Sequence, residues 1–308
     1  MFQRLAISGS TGLIGTAVSR FYNEQGCQVV PIVRFSTPLK TNRKVIRWDI
    51  GYEKIDAAQF EGFDAIINFS GASIADRRWT PAYKKVIHDS RIKSTALLAK
   101  TLVRLKKPPR VFICASAVGY YGHGGMDDPK SETAPTGNDF LAKLCQGWEQ
   151  AATVAANAGI RIVHLRFGVV LDKAGGALAK MLPVFRIGLG GNIGSGKQVV
   201  SWIALKEIPF IIQHVIQNSY ISGPVNCVSP SPVTNEEFTK ILGKILHRPT
   251  ALPLPLFAAK MMFGEMADSL LLGGQKVVSE KLLKSGYQFK FVHLEDALAE
   301  ILIKKHRL

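Results

Sequence analysis

Gly9-Ser10-Thr11-Gly12-Leu13-Ile14-Gly15 places three glycines at intervals of three near the start of the chain. Residues 2–8 alternate apolar and polar, as a short strand does, and Leu13, Ile14, Ala17, Val18 and Phe21 then recur at helical spacing. Glycines at such a handover allow a sharp turn, close approach of a pyrophosphate to bare backbone, and tight packing of helix on sheet. The backbone N–H groups and the positive dipole end of the helix then face the phosphates. The alternative is a purely structural glycine turn. The position between a strand and a helix favours a dinucleotide.

Further candidates lie where later strands end, because ligands of open α/β sheets bind beyond the carboxyl ends of the strands. Arg34 ends a second strand, 19 residues after Gly15. A carboxylate there would suit the ribose of NAD, whereas an arginine suits a 2′-phosphate, so the expected cofactor is NADP(H). Thr37, Lys40 and Arg43 are placed to assist. Asp49 either accepts a bond from the adenine amino group or caps a turn. Ser70, Gly71 and Ala72 follow a fourth strand as a small-residue loop that can lie along the cofactor, and Asn68 just before them suits an Asx turn. Ser116, Tyr120 and Tyr121 follow a fifth strand as candidate catalytic hydroxyls. A tyrosine acting as a base needs a cation nearby, its ordinary pKa being about 10. Arg91 and Lys93 lie on a long helical stretch. Arg166 ends a sixth strand as a possible clamp for an anionic substrate, and Gln198, Ser201 and Trp202 are candidate lining residues.

The elements that must position these groups alternate. Strand-like runs at 28–33, 45–48, 65–69, 110–115 and 160–167 are interleaved with helical stretches, the clearest at 81–105 and 139–157. That order predicts right-handed βαβ units in an α/β, doubly wound parallel sheet of the Rossmann type. After residue 172 the texture changes. Gly175-Gly176 and residues 188–196 read as loops, and helical stretches recur at 234–246, 255–264 and 294–305. Residues 1–172 are therefore expected to form the cofactor domain, with later strands near 199–203 and 224–228. Residues 173–308 are expected to form mainly a small substrate lobe. Residues 188–197 (GLGGNIGSGK) lack phosphate-loop spacing and read as a substrate-side loop.

The 308 residues are 47% hydrophobic, enough for one large domain with a second lobe. No apolar run is long enough to span a bilayer, and the start lacks the features of a secretory signal, so a cytoplasmic protein without membrane association is expected. Cys27, Cys114, Cys145 and Cys227 are too scattered for a disulfide framework or a metal site, and the seven histidines form no metal-binding motif. The net charge of +16 is spread over residues 34–47, 77–93, 104–110 and 304–307, outside any nucleic-acid-binding motif. It suits anionic small ligands better than nucleic acid.

Taken together, these residues resemble the extended or atypical short-chain dehydrogenase/reductases, in particular the epimerase family proteins. Besides the glycine loop, the resemblance rests on residues 67–72 (INFSGA), 77–79 (RRW), 90–92 (SRI), 116–122 (SAVGYYG) and 139–142 (DFLA). Trp148-Glu149 and residues 165–171 (LRFGVVL) continue it, followed by 201–203 (SWI), 223–226 (GPVN), 270–275 (LLLGGQ) and 286–287 (GY). It covers nearly the whole chain and implies a Rossmann domain with a small C-terminal substrate lobe and bound NADP.

The implied activity is that of an NADP(H)-dependent oxidoreductase or epimerase-like enzyme on a small polar hydroxy or carbonyl compound. Tyr121 or Tyr120 would be the acid/base, Ser116 the orienting hydroxyl and Arg166 the clamp. Two departures stand against a direct transfer. Active relatives carry Tyr-x-x-x-Lys on the helix after the fifth strand, where this chain reads Phe140-Leu141-Ala142-Lys143-Leu144-Cys145, and Lys143 lies about 100° round the helix from the required face. Ala204, Lys206 and Glu207 also replace a histidine and two acids of the family pattern. A non-catalytic NADP(H) sensor on the same fold is therefore the alternative. Relatives of this kind often dimerise through the helices at 81–105 and 139–157, so a homodimer is also expected, with Trp148 either at that contact or in the core.

Overall fold

The computed structural model describes residues 3–38 and 44–303. Lys40, Arg43 and the basic residues 304–307 lie outside them. Strand β1 (Arg4–Ser8) leads into helix α1 (Leu13–Glu24), then β2 (Gln28–Arg34), β3 (Ile46–Asp49), the short β4 (Lys54–Ile55) and β5 (Ala65–Asn68). Helix α2 (Pro81–Leu102) follows, then β6 (Val111–Ala117), α3 (Phe140–Gln150), α4 (Thr153–Asn157) and β7 (Arg161–Phe167). The main sheet is completed much later by β11 (Gly223–Cys227), giving eight strands in the order β11-β7-β6-β5-β1-β2-β3-β4. Only β4 runs antiparallel to its neighbour in this sheet. This is the doubly wound α/β sheet that the alternation predicts.

Alternation along the strands divides the core into two layers. Leu5 and Ile7 of β1, Ile67 of β5, Ile113 of β6 and Val163 of β7 pack with Val18 and Tyr22 of α1. Ala6, Ile32, Ile66 and Phe112 pack in the opposite layer with Leu97 and Leu98 of α2 and Ala155 of α4. A sheet buried on both faces needs such apolar strands. Sheet order reverses between β1 and β5, so the loops after these two strands meet where such folds open a crevice.

Beyond β7 the chain leaves the main sheet at Gly168. A Cβ there would lie 2.4 Å from the Ser201 carbonyl oxygen, so glycine permits the crossing. Strand β8 (Val169–Leu171) pairs instead with β10 (Trp202–Ala204), and β9 (Val199–Val200) pairs with β12 (Val233–Thr234). The strands near 199–203 thus stay outside the main sheet, while those near 224–228 join it. The helix α6 (Ile208–Gln217), not anticipated from the sequence, packs Ile208, Ile211, Ile212 and Val215 into the layer that holds α1.

Helix α5 (Gly176–Arg186) begins at the two glycines read as a loop, and contains Pro183. Its Leu178, Leu182 and Phe185 form a third core with Phe238 and Leu242 of α7 (Asn235–Leu246) and Leu294 and Leu298 of α10 (Leu294–Leu302). Two short helices, α8 (Leu256–Phe263) and α9 (Glu280–Lys284), complete this part. The stretch expected as one helix at 139–157 is two, α3 and α4, parted at residues 151–152. Among the described residues no helix is long and apolar enough to cross a membrane.

Candidate functional site

The three glycines at the β1–α1 handover do three different things. Gly9 has φ of +64°, and a Cβ on it would sit 2.7 Å from the Phe69 carbonyl group. Gly15 lies so near the turn that a Cβ would be 2.2 Å from the Gly9 oxygen. Gly12 is different: apart from the Gly9 oxygen at 3.3 Å, nothing within 4 Å would meet its Cβ. It is also the N-cap of α1, and no side chain caps it. Thr80 caps α2, Asp139 caps α3, and Thr234 with Glu237 forms a capping box on α7, whereas α5, α6, α8 and α10 start without a side-chain cap, as α1 does. The first turn of α1 thus offers backbone donors and a dipole end beside open space, which suits the pyrophosphate of a dinucleotide.

The adjoining loop is fixed from beneath. Asn68 Oδ1 accepts from Ser8 Oγ at 2.5 Å and from the Ser70 backbone N–H at 3.1 Å. Its Nδ2 donates to Thr95 Oγ1, which also accepts from Trp148 Nε1. The Asx turn is therefore present, and it anchors Ser70 through a buried ladder that runs into α2 and α3. Trp148 belongs to the core. Gly71 packs against Arg91 of α2, whose Nη1 donates to the Ala72 carbonyl at 3.0 Å while its guanidinium lies over the Trp148 ring. The sequence reading singled out Arg91 but gave it no role. Here it braces the loop.

Arg34 ends β2 with an exposed side chain. Asp49 Oδ1 accepts from the backbone N–H groups of Gly51 and Tyr52, so of its two expected roles the turn cap is what this oxygen performs.

The candidate catalytic hydroxyls are drawn into a buried network. Ser116 Oγ donates to Glu149 Oε1 at 2.7 Å. Arg166 forks onto the same carboxylate, Nε to Oε1 and Nη2 to Oε2, both at 2.8 Å. Its Nη1 donates to the Tyr121 hydroxyl, which in turn donates to Asn226 Oδ1 at 2.6 Å. Glu132 accepts from the Asn226 backbone N–H and, with Lys281, closes the far end. Burial opposes the charge of Arg166, but Glu149 and Tyr121 more than offset it and hold the guanidinium above its ordinary pKa. Burial pushes the Tyr121 hydroxyl up to about 12, against the lowering influence of Arg166.

This geometry gives three of the candidates protein partners. Tyr121 is buried, and its hydroxyl is engaged at both lone pair and proton. Ser116 spends its proton on Glu149. Arg166, with a side chain only 3% exposed, is the ion-pair partner of Glu149. Tyr120 differs: it is half-buried, and its ring lies 3.5 Å from the Arg166 guanidinium carbon. Glu149, Glu132 and Asn226 were not singled out as site residues, although Glu149 and Asn226 lie inside motifs of the resemblance.

The proposed lining residues also have structural work. Trp202 is fully buried and donates through Nε1 to the Ser231 carbonyl. Gln198 ties two loops together by donating to the carbonyls of Ile193 and Leu271, and Ser201 Oγ donates to the Gln275 carbonyl. Glu207, one of the departures from the family pattern, is buried and accepts from the Tyr287 hydroxyl and the backbone N–H groups of Lys290 and Phe291. Lys206 pairs with Glu300. At the start of α3, Phe140 packs edge-on against Trp79, and Leu144 and Cys145 are buried.

Comparison with known proteins agrees with this architecture. The family model described as NAD dependent epimerase/dehydratase family matches residues 5–221, and one described as a domain of unknown function matches residues 254–301. Epimerase family protein Mb2239 of Mycobacterium bovis is 40% identical over 294 residues, 96% of each chain. Human epimerase family protein SDR39U1 is 36% identical over 302 residues, covering 97% of this chain and 99% of its own. The crystal structure of the human protein with NADPH superposes with a TM-score of 0.88 at 35% identity, over 97% of this chain and 99% of that one. A nucleoside-diphosphate sugar epimerase from Corynebacterium glutamicum gives 0.79 at 30% identity, over 98% of this chain and 58% of the other. With the glycine cradle, the doubly wound sheet and these likenesses, the chain belongs to the NAD dependent epimerase/dehydratase family.

Proposed function

We propose that this protein binds NADP(H), with Gly9, Ser10, Thr11, Gly12, Leu13, Ile14 and Gly15 around the pyrophosphate, and with Ser70, Gly71 and Ala72 along the remainder of the cofactor. The observation that carries this reading is the uncapped first turn of α1, where Gly12 alone of the three glycines borders open space. Arg34 is the selector for the 2′-phosphate, and Asp49 borders the adenine end. The NADPH in the crystal structure of the human relative supports the same choice. Residues 1–172 with β11 form the cofactor part. Most of residues 173–308 form the substrate side, with the loops joined by Gln198 shaping its wall.

The Arg34 assignment has a direct test. Arg34→Ala should weaken NADPH by about tenfold or more, the scale of one charge-assisted contact, and leave NADH within about twofold. Equal losses for both would contradict a 2′-phosphate contact.

For chemistry, the reading is an oxidoreductase or epimerase-like enzyme acting on a small polar hydroxy or carbonyl compound. The nicotinamide supplies hydride transfer when it is bound. Tyr120, with its ring partly exposed above a guanidinium, is the side chain that handles the proton. Tyr121, Ser116, Glu149 and Arg166 hold the Tyr120 loop in place. A second reading, an NADP(H) sensor without turnover, is favoured by the apolar start of α3, where Phe140, Leu144 and Cys145 leave no tyrosine–lysine pair. A panel of carbonyl compounds with NADPH consumption as readout separates the two. Turnover that Tyr120→Phe lowers by about a hundredfold supports the enzyme, in keeping with the usual worth of general acid–base catalysis. Tight NADPH binding with no turnover across the panel supports the sensor.

A further inference from the structure

Two segments of the substrate side run alongside each other at the surface. The Leu254 N–H donates to the Asn192 carbonyl at 2.8 Å, the Gly194 N–H donates to the Leu254 carbonyl at 3.0 Å, and Arg248 Nε donates to the Arg186 carbonyl at 2.7 Å. Gly191 packs so closely on Leu252 that a Cβ would be 1.9 Å from its carbonyl oxygen. The two segments together expose Ile187, Leu189 and Leu252, and α8 beside them exposes Phe257, Met261 and Met262. Phe257 and Met261 are 71% and 70% exposed. Ala259 is fully buried in α8, which therefore stands out as an apolar ridge and not as the wall of a groove.

Charge decides what such a ridge fits. Residues 184–193 and 247–262 contain Arg186, Arg248, Lys260 and His247 and not one Asp or Glu. Lys260 pairs with Asp268 just beyond them, and the chain as a whole carries +16. A second copy of this chain is disfavoured as the occupant, because a two-fold contact sets each basic patch against its own image. A protruding apolar helix with basic flanks suits an anionic lipid surface, where the apolar side chains enter the headgroup boundary and the cations face the lipid charge. We propose that this protein docks peripherally on anionic bilayers through α8 and residues 186–189 and 248–252. Apolar insertion and basic attraction are both needed, since either alone gives only marginal anchoring. This proposal departs from the sequence expectation of a protein without membrane association, which rested on the lack of a spanning segment and a secretory signal.

The test is flotation of the full-length protein with phosphatidylcholine vesicles and with phosphatidylcholine–phosphatidylglycerol vesicles. The protein is expected to float with the anionic vesicles, weakly or not at all with the neutral ones, and less as salt rises. Phe257→Ser combined with Met261→Ser should lower the bound fraction by about tenfold or more, and Arg186→Gln by roughly fivefold. Both side chains are exposed, so the variants should keep the wild-type melting midpoint and NADPH affinity. No flotation, equal flotation of wild type and variants, or a soluble dimer that the Phe257/Met261 variant dissociates would each overturn the proposal. Capture of an acidic protein in place of vesicles would overturn it as well.

Discussion

Gly12→Ala is expected to separate binding from folding. Its new Cβ would meet only the Gly9 carbonyl oxygen, at 3.3 Å, so the apoprotein should melt within a few degrees of wild type. That methyl group would nevertheless stand where the pyrophosphate must approach backbone, and NADPH affinity should fall by at least about tenfold. Gly15→Ala should behave in the opposite way. A Cβ 2.2 Å from the Gly9 oxygen, and 2.8 Å from Gly9 C, must push the α1 turn off β1. Overpacking of this kind costs about 1–3 kcal/mol, and here the obstacle is backbone, which yields least. Chemical denaturation of the two variants without cofactor, beside NADPH titration, makes the comparison. Unaltered NADPH binding in Gly12→Ala would place the cofactor elsewhere.

Arg166→Met is expected to cost about 3–5 kcal/mol, because it leaves the Glu149 carboxylate without its ion-pair partner in a poorly solvated site. The fork from Arg166 to Glu149, the Ser116 hydroxyl and the Tyr121 hydroxyl form one unit, so the loss should exceed that of a single neutral hydrogen bond, about 1 kcal/mol. Arg166→Met with Glu149→Leu should recover much of the loss by removing the stranded charge together with its partner. A substrate clamp would behave otherwise: Arg166→Met would then leave the denaturation midpoint where it was and change only ligand affinity.

The first half of the fold was legible because its strands are short apolar runs, α1 and α3 are amphipathic, and α2 starts at Thr80-Pro81 and is long. The β1–α1 handover, β5, β6, β7 and α2 fall within a few residues of their expected places. The second half was harder for physical reasons. Helix α6 reads IPFIIQHVIQ, a short run in which Gln213, His214 and Gln217 mark a narrow polar face that Phe210 interrupts, so its opening reads as an apolar strand. Helix α5 hides behind Gly175-Gly176 and contains a proline, both of which read as breaks. The kink at Gly168 sends β8 to β10, a long-range pairing with no local trace in the sequence.

The same division holds at the site. Glycine spacing and the place of Arg34 are local, so the sequence itself carries the expectation of a dinucleotide cradle. The partners of Ser116, Tyr121 and Arg166 come from α3, β7, β11 and the loop at Glu132, separated by up to 105 residues between Tyr121 and Asn226. Residue type, strand-end position and the resemblance single out those groups, whereas their contacts depend on the tertiary fold.

The central claim is that this chain binds NADP(H) in preference to NAD(H) at the α1 cradle. Parallel titrations of the wild-type protein with NADPH and NADH, followed by cofactor fluorescence, test it most directly. NADPH is expected to bind saturably and at least about tenfold tighter than NADH, in keeping with one charge-assisted contact from Arg34. NADH binding as tightly as NADPH, or neither binding at all, would contradict it.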